Sequence, residues 1–399
     1  MLSGRGRWGV LALVTAAHTL GAVSALAIAP LSPLLLDELG LTRAQVGLFL
    51  PALYLGGVAM SLPAGWLTDR LGARLTLVGG QLLTALMVGL AAWSPGLATM
   101  LPLYCLAGLG WAVINPATGR AILDTFPARE RGLAMGVKQT GLTLGGVLAS
   151  LTMPALALVY GWRAALAVAA SASLLSAAAV LGGLAPVLRH PSAVDATDRA
   201  RMADIGPFLA RPAFATLLAC GLVLSVAQAS VLAYLALFAR ERLGLSVVAA
   251  GGLLAVAQVG GTIGRLGWGV ISDRVFGGRR RPGVVINSGL GAAAYLIFAS
   301  GVELPGPTVV AIALVAGIGA FGWMGLYLAL AAEVGGARYA GLLTGVAVSF
   351  AWSGVLVGPP LFGLMLQATG AYRWPWLLLA LTSLTAAVAL HRLPPLVKR

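Results

Sequence analysis

Charge is what this chain has least of. Only 10% of its 399 residues are Asp, Glu, Lys or Arg, against roughly a quarter in a soluble domain. With 59% hydrophobic residues and a mean hydropathy of +0.94, that excludes a soluble enzyme and a disordered chain. Cysteine is scarce as well. Cys105 and Cys220 each lie inside an apolar stretch, so neither a disulfide framework nor a zinc site is expected. No metal-ligand cluster, nucleophile–base constellation or phosphate-binding Gly-Lys-Ser/Thr motif is visible. No metal, no cofactor, no enzymatic activity and no direct ATP drive are expected.

What is present is apolar length. A membrane-crossing helix needs about 20 apolar residues at about 1.5 Å each. Twelve such spans can be cut, at roughly 8–30, 44–68, 75–93, 97–124, 132–158, 162–186, 211–239, 247–271, 283–301, 307–333, 340–367 and 373–392. A β-barrel would show short alternating strands, and the alanine-rich run 164–185 does not alternate. The expected fold class is therefore an all-α integral membrane protein. Its 54 glycines would weaken water-soluble helices but let membrane helices approach closely, as at Gly141, Gly145, Gly317 and Gly319. Arg5 and Arg7 before an apolar run imitate a secretory signal. The segment is read as retained, because six spans in the first half require it.

The formal net charge of +14 does not point to nucleic acid, because the basic residues sit in short loops. With both ends placed in the cytoplasm, 18 Lys/Arg fall inside, five outside and three within spans. That bias predicts the orientation, with cytoplasmic termini and the cytoplasmic membrane as location. The lipid bilayer and a small solute are the expected partners, and the protein is expected to be a monomer.

The chain also repeats itself. Gly65-Trp-Leu-Thr-Asp69-Arg70-Leu-Gly72-Ala-Arg74 returns 204 residues later as Gly269-Val-Ile-Ser-Asp273-Arg274-Val-Phe-Gly277. Gly132-Leu133 and Gly136 match Gly341-Leu342 and Gly345 at an offset of 209, which also carries Asp124 onto Glu333. Two six-span halves are expected, 1–188 and 211–399, joined by a cytoplasmic linker at 189–210. The doubled Asp-Arg loop is similar to the signature loop between spans 2 and 3 of the major facilitator superfamily, and to its echo between spans 8 and 9. The block Arg120 to Gly136, with Phe126-Pro127-Ala-Arg129-Glu130-Arg131-Gly132 inside it, is similar to members carrying organic or small inorganic anions. The arginine usual early in span 4 of drug/proton antiporters is absent, Leu103-Tyr104-Cys105 standing there, and the Gly-Pro kink of span 5 is absent too. Both departures count against drug efflux.

Charges inside the spans carry the functional argument. Arg265 lies eight residues before Asp273, about 12 Å from the membrane edge. An arginine at that depth costs about 2.5–3.5 kcal/mol on insertion scales and needs a partner, a wet cavity or a substrate. Its repeat equivalent is Ser61, so packing alone does not require it. The resemblance to the nitrate/nitrite branch implies anion contact by Arg265, although the matching arginine in span 2 is missing. Lys138, followed by Gln139, either joins that site or snorkels to the interface. Asn115, Gln228 and Gln258 are further candidate substrate contacts, since amides in hydrocarbon need partners, and the aromatic Trp323 and Tyr327 are candidates to complete the pocket. Asp69, Arg70, Arg74 and Asp124 are expected to form a cytoplasmic latch in the first half, and Asp273, Arg274 and Glu333 its counterpart. His18 is the only mid-span group that titrates near neutrality and the candidate for proton coupling. These features predict a secondary transporter of a small anion, with a proton-coupled drug or metabolite exporter and a non-transporting sensor as the competing readings.

Overall fold

The computed structural model describes residues 4–184 and 205–393, and every regular element among them is a helix. The charged part of the linker, 189–204, lies outside the described residues. Span 1 is α1 (Gly4–Leu26) continued by α2 (Ile28–Glu38), and the short α3 (Arg43–Val46) precedes α4 (Phe49–Ala92). Span 4 is α5 (Leu97–Ala112) followed by α6 (Ile114–Thr125), and α7 (Ala128–Gly183) completes the first half. After α8 (Gly206–Leu209) come α9 (Pro212–Glu241), α10 (Val247–Arg274) and α11 (Arg281–Ser300), which are spans 7 to 9. Span 10 is α12 (Gly306–Phe321) continued into α13 (Met324–Thr369), and α14 (Arg373–Arg392) is span 12.

Three helical elements are interrupted by a glycine at positive φ: Gly72 (φ 81°) in α4, Gly161 (φ 82°) in α7 and Gly336 (φ 58°) in α13. A side chain there would cost about 1–2 kcal/mol, and each glycine turns the chain from one span into the next. Among the described residues, eleven segments are long and apolar enough to cross a membrane. One of them, Leu133–Gly183, contains the Gly161 turn and is long enough to cross twice. The fold is thus twelve spans in two sixfold sets, as the apolar stretches predict.

By internal contacts the chain divides into two compact units. Met1–Arg189 with Ala233–Ala255 form the first, and His190–Leu232 with Val256–Arg399 the second. Within the first, α1 packs on α7 and α4 on α5; within the second, α11 packs on α14 and α12. The close packing repeats residue by residue. In the first unit Gly56 meets the Cys105 carbonyl and Gly108 the Leu53 carbonyl, with no room for a Cβ. In the second, Gly260 meets Leu314 O and Gly317 meets Ala257 O in the same way. Likewise Gly145 rests on Thr19 and Ala22, and Gly354 on Leu222 and Ser225. Large apolar side chains such as Leu86, Leu175, Leu266 and Leu364 are exposed, as lipid-facing positions require.

Candidate functional site

Each unit places a cation well inside a long helix, beside an interrupted span. Span 4 breaks at Val113, between α5 and α6, and span 10 breaks at Gly322 and Trp323, between α12 and α13. Lys138 lies ten residues into α7, roughly 15 Å along it, and is only 4% exposed. Its Nζ donates to the Asn115 side-chain oxygen and, at 3.4 Å, to the Asn115 carbonyl, just past the span 4 break. Arg265, half-buried in α10, donates through Nε to the Phe321 carbonyl at 3.0 Å, just before the span 10 break. A buried ammonium needs such acceptors, and the Phe321 carbonyl, at the last residue of α12, lacks an intrahelical donor. All described carboxylates lie at span ends or in loops.

The remaining candidates separate by surroundings. Gln139 is half-buried next to Lys138, and Asn115 is exposed while holding it. Gln228 is half-buried, its Oε1 lacking a hydrogen-bond partner among the described residues. Gln258 is buried, and its carbonyl accepts from the Thr262 hydroxyl at 3.1 Å. Trp323 and Tyr327 belong to the core of the second unit. The Trp323 indole donates to Ala320 O at 2.9 Å and the Tyr327 hydroxyl to Ala347 O at 3.1 Å, so both tips are satisfied by packing neighbours. His18 is buried in α1, and its Cβ closes on Gly141 of α7. Near it Gln81 donates to Ala17 O at 2.9 Å.

The charged loops assemble around different arginines from those their motif suggests. In the first unit Arg120 bridges Asp124 at 2.9 Å and Asp69 at 3.4 Å. Arg74 turns away and donates to Leu181 O, while Arg70 lies 4.7 Å over the Trp66 ring. In the second unit Arg280 bridges Asp273 and, at 3.6 Å, Glu333. Arg274 is exposed at the end of α10. Sequence reasoning placed the acids at the latches and paired Arg120 with Asp124 at i, i+4, but did not single out Arg280 among the arginines of its loop. It also missed Asn287, which is fully buried: its Oδ1 accepts from Trp268 Nε1 at 2.8 Å and its Nδ2 donates to Gly319 O at 2.9 Å. An amide within an apolar stretch was the available signal.

Two similar helical sets, a doubled charged loop and a matched break in spans 4 and 10 now stand together. The Major Facilitator Superfamily description matches residues 11–359. The chain belongs to that superfamily. This facilitator is 29% identical over 373 residues to an uncharacterized MFS-type transporter of Mycobacterium tuberculosis (strain CDC 1551 / Oshkosh), covering 92% of this chain and 81% of the relative. It is 29% identical over 140 residues to the hexuronate transporter of Bacillus subtilis (strain 168), covering 35% of this chain and 33% of that protein. Among solved structures, a bacterial homolog of the human lysosomal transporter Spinster superposes with a TM-score of 0.76 at 18% identity, over 98% of this chain and 96% of that one.

Proposed function

We propose that this facilitator is a secondary active transporter that carries a small organic anion by alternating access. The observation that supports the reading is the placement of charge. In each unit the charged side chain deepest in a span is a cation, Lys138 or Arg265, and the described acids are confined to span ends. Such a distribution makes the interior attractive to anions and repels cations. The relative named for hexuronate carries a carboxylated solute, which agrees with an Arg265 fork that suits planar carboxylates. The latches at Asp69–Arg120–Asp124 and Asp273–Arg280–Glu333 serve as breakable contacts on the face assigned to the cytoplasm.

The test is a stabilisation screen of purified protein against carboxylates, nitrate, cyanate and cationic drugs, followed by transport of the best ligand. Arg265→Lys keeps the charge and loses the fork, so it should reduce transport at least tenfold in folded protein. Arg265→Ala should abolish binding. Full anion flux in a well-expressed Arg265→Ala protein would assign the arginine to structure alone.

Energy coupling follows from the same charge argument. Moving an anion inward against the membrane potential costs about 2.3 kcal/mol per charge per 100 mV, so accumulation needs exchange or a cotransported cation. His18 is the candidate proton carrier. Uptake into proteoliposomes under an imposed pH gradient should fall to the ungraded level in His18→Gln; gradient-driven uptake that survives the substitution removes His18 from the mechanism.

A further inference from the structure

The second unit holds its cation through an intermediary. Arg265 reaches the Phe321 carbonyl, and Phe321 is the last residue of α12 before span 10 breaks. Two residues earlier, Gly319 O accepts from Asn287 Nδ2 at 2.9 Å, and Asn287 Oδ1 accepts in turn from Trp268 Nε1 at 2.8 Å. Trp268 stands three residues after Arg265 on α10, so the same helix supplies both ends of the chain of contacts. Spans 8, 9 and 10 can approach this closely because Gly264, Gly291, Gly319 and Gly322 face one another, a Cβ on Gly322 meeting Asn287 Oδ1 at 2.6 Å. The first unit reaches a comparable result with fewer parts. There Asn115 sits on the broken span itself and takes Lys138 directly.

We propose that Asn287 is the positioning residue for Arg265: by fixing Gly319 O it holds the end of α12, and with it the Phe321 carbonyl, where the Arg265 Nε–H can be engaged and the guanidinium plane oriented for the anion. Asn287 is 0% exposed, a costly place for an amide unless both its ends are used. Both are, and they join the arginine's own helix to the helix that the arginine grips. An apolar residue of equal size would pack the same volume more cheaply. The amide is therefore accounted for by orientation. Asn287 touches no substrate in this scheme and acts only through Arg265. The inference rests on the anion reading above.

The experiment uses the full chain in detergent, with melting temperature measured against acetate, D-glucuronate and nitrate at fixed ionic strength. Variants are Asn287→Leu, which removes both bonds, Trp268→Phe, which removes only the indole donor, and Arg265→Lys. Asn287→Leu should weaken the apparent affinity for the stabilising anion at least fivefold, and Trp268→Phe by less. Combined with Arg265→Lys, Asn287→Leu should add less than twofold, since its effect passes through the arginine. A folded Asn287→Leu protein with wild-type affinity, or full additivity with Arg265→Lys, overturns the assignment while leaving the anion reading intact. Absence of stabilisation of wild type by all three anions, or an Arg265→Lys protein of unchanged affinity, overturns both.

Discussion

Arg74 and Arg281 bond to carbonyls, although the loop that carries each also carries an aspartate, Asp69 or Asp273. Arg74 donates to Leu181 O in the last turn of α7, and Arg281 to His391 O at 2.6 Å and to Leu393 O at the end of α14. The final carbonyls of a helix lack intrahelical donors and carry its negative end. These arginines thus cap spans 6 and 12 in equivalent ways. Arg74→Gln and Arg281→Gln should each lower stability by about 0.3–1 kcal/mol, read as a lower melting temperature. Arg120→Gln and Arg280→Gln should behave differently. Their ion pairs are partly exposed and worth about 0–1 kcal/mol in stability, but cysteine-accessibility labelling on the two faces should shift. Unchanged labelling in both would remove the latch. The acids of these latches were legible in the sequence because only a few exist. The Arg120–Asp124 pair was legible too, from its i, i+4 spacing. The reach of Arg120 to Asp69 and the choice of Arg280 were not, since several arginines lie within reach of one helix end and side-chain direction decides.

At the scale of elements, glycine sets how near two helices come. Gly108 and Gly317 occupy equivalent places, each facing a backbone carbonyl of the neighbouring helix with no space for a methyl group. Gly108→Ala and Gly317→Ala should therefore each cost about 1–3 kcal/mol by overpacking. Gly79→Ala, at a helical position with open space around it, should be neutral or slightly stabilising. Comparable melting temperatures for all three variants would show that these helix pairs can slide apart freely. Helix existence and number were legible because apolar runs of this length have few other fates. The break in span 4 had a signal in Pro116, which has no N–H for the Ala112 carbonyl four residues back. The break in span 10 was not legible, because Gly322 and Trp323 keep near-helical dihedral angles and no proline follows within four residues.

For the whole molecule, the unequal loop charge is the outward expression of orientation. Eighteen basic residues on one side of the expected topology against five on the other predict cytoplasmic termini by the positive-inside tendency. A fluorescent protein fused after Arg399 should fold and fluoresce in cells, and an alkaline phosphatase fused there should stay inactive. Active phosphatase would reverse the topology and with it the side on which the latches work. The internal repeat was visible at the loops from the start. Its deeper extent needed the structure, because within the helices the repeat lies in small residues that face backbone, such as Gly56 and Gly260 or Gly108 and Gly317, while the residues around them differ.

Those paired glycines also keep a record of how the two halves drifted apart. Gly40 and Gly244, both at turns with positive φ, are 204 residues apart, as are Gly56 and Gly260. Gly80 and Gly291, which close on Gly110 and Gly319, are 211 apart, whereas Gly108 and Gly317 are 209 apart. The spacing stays constant through the helices and jumps only in the connections between spans 2 and 3 and between spans 3 and 4. One inserted residue inside a helix rotates everything beyond it by about 100°, turning lipid-facing leucines inward and glycine contacts outward. Length could therefore be gained or lost only where the chain turns, and the molecule marks its own editable positions. Two residues inserted at Ser94–Gly96, where the second half is already two residues shorter than the first, should leave a protein that inserts and transports. The same two residues placed after Gly108 should abolish folding.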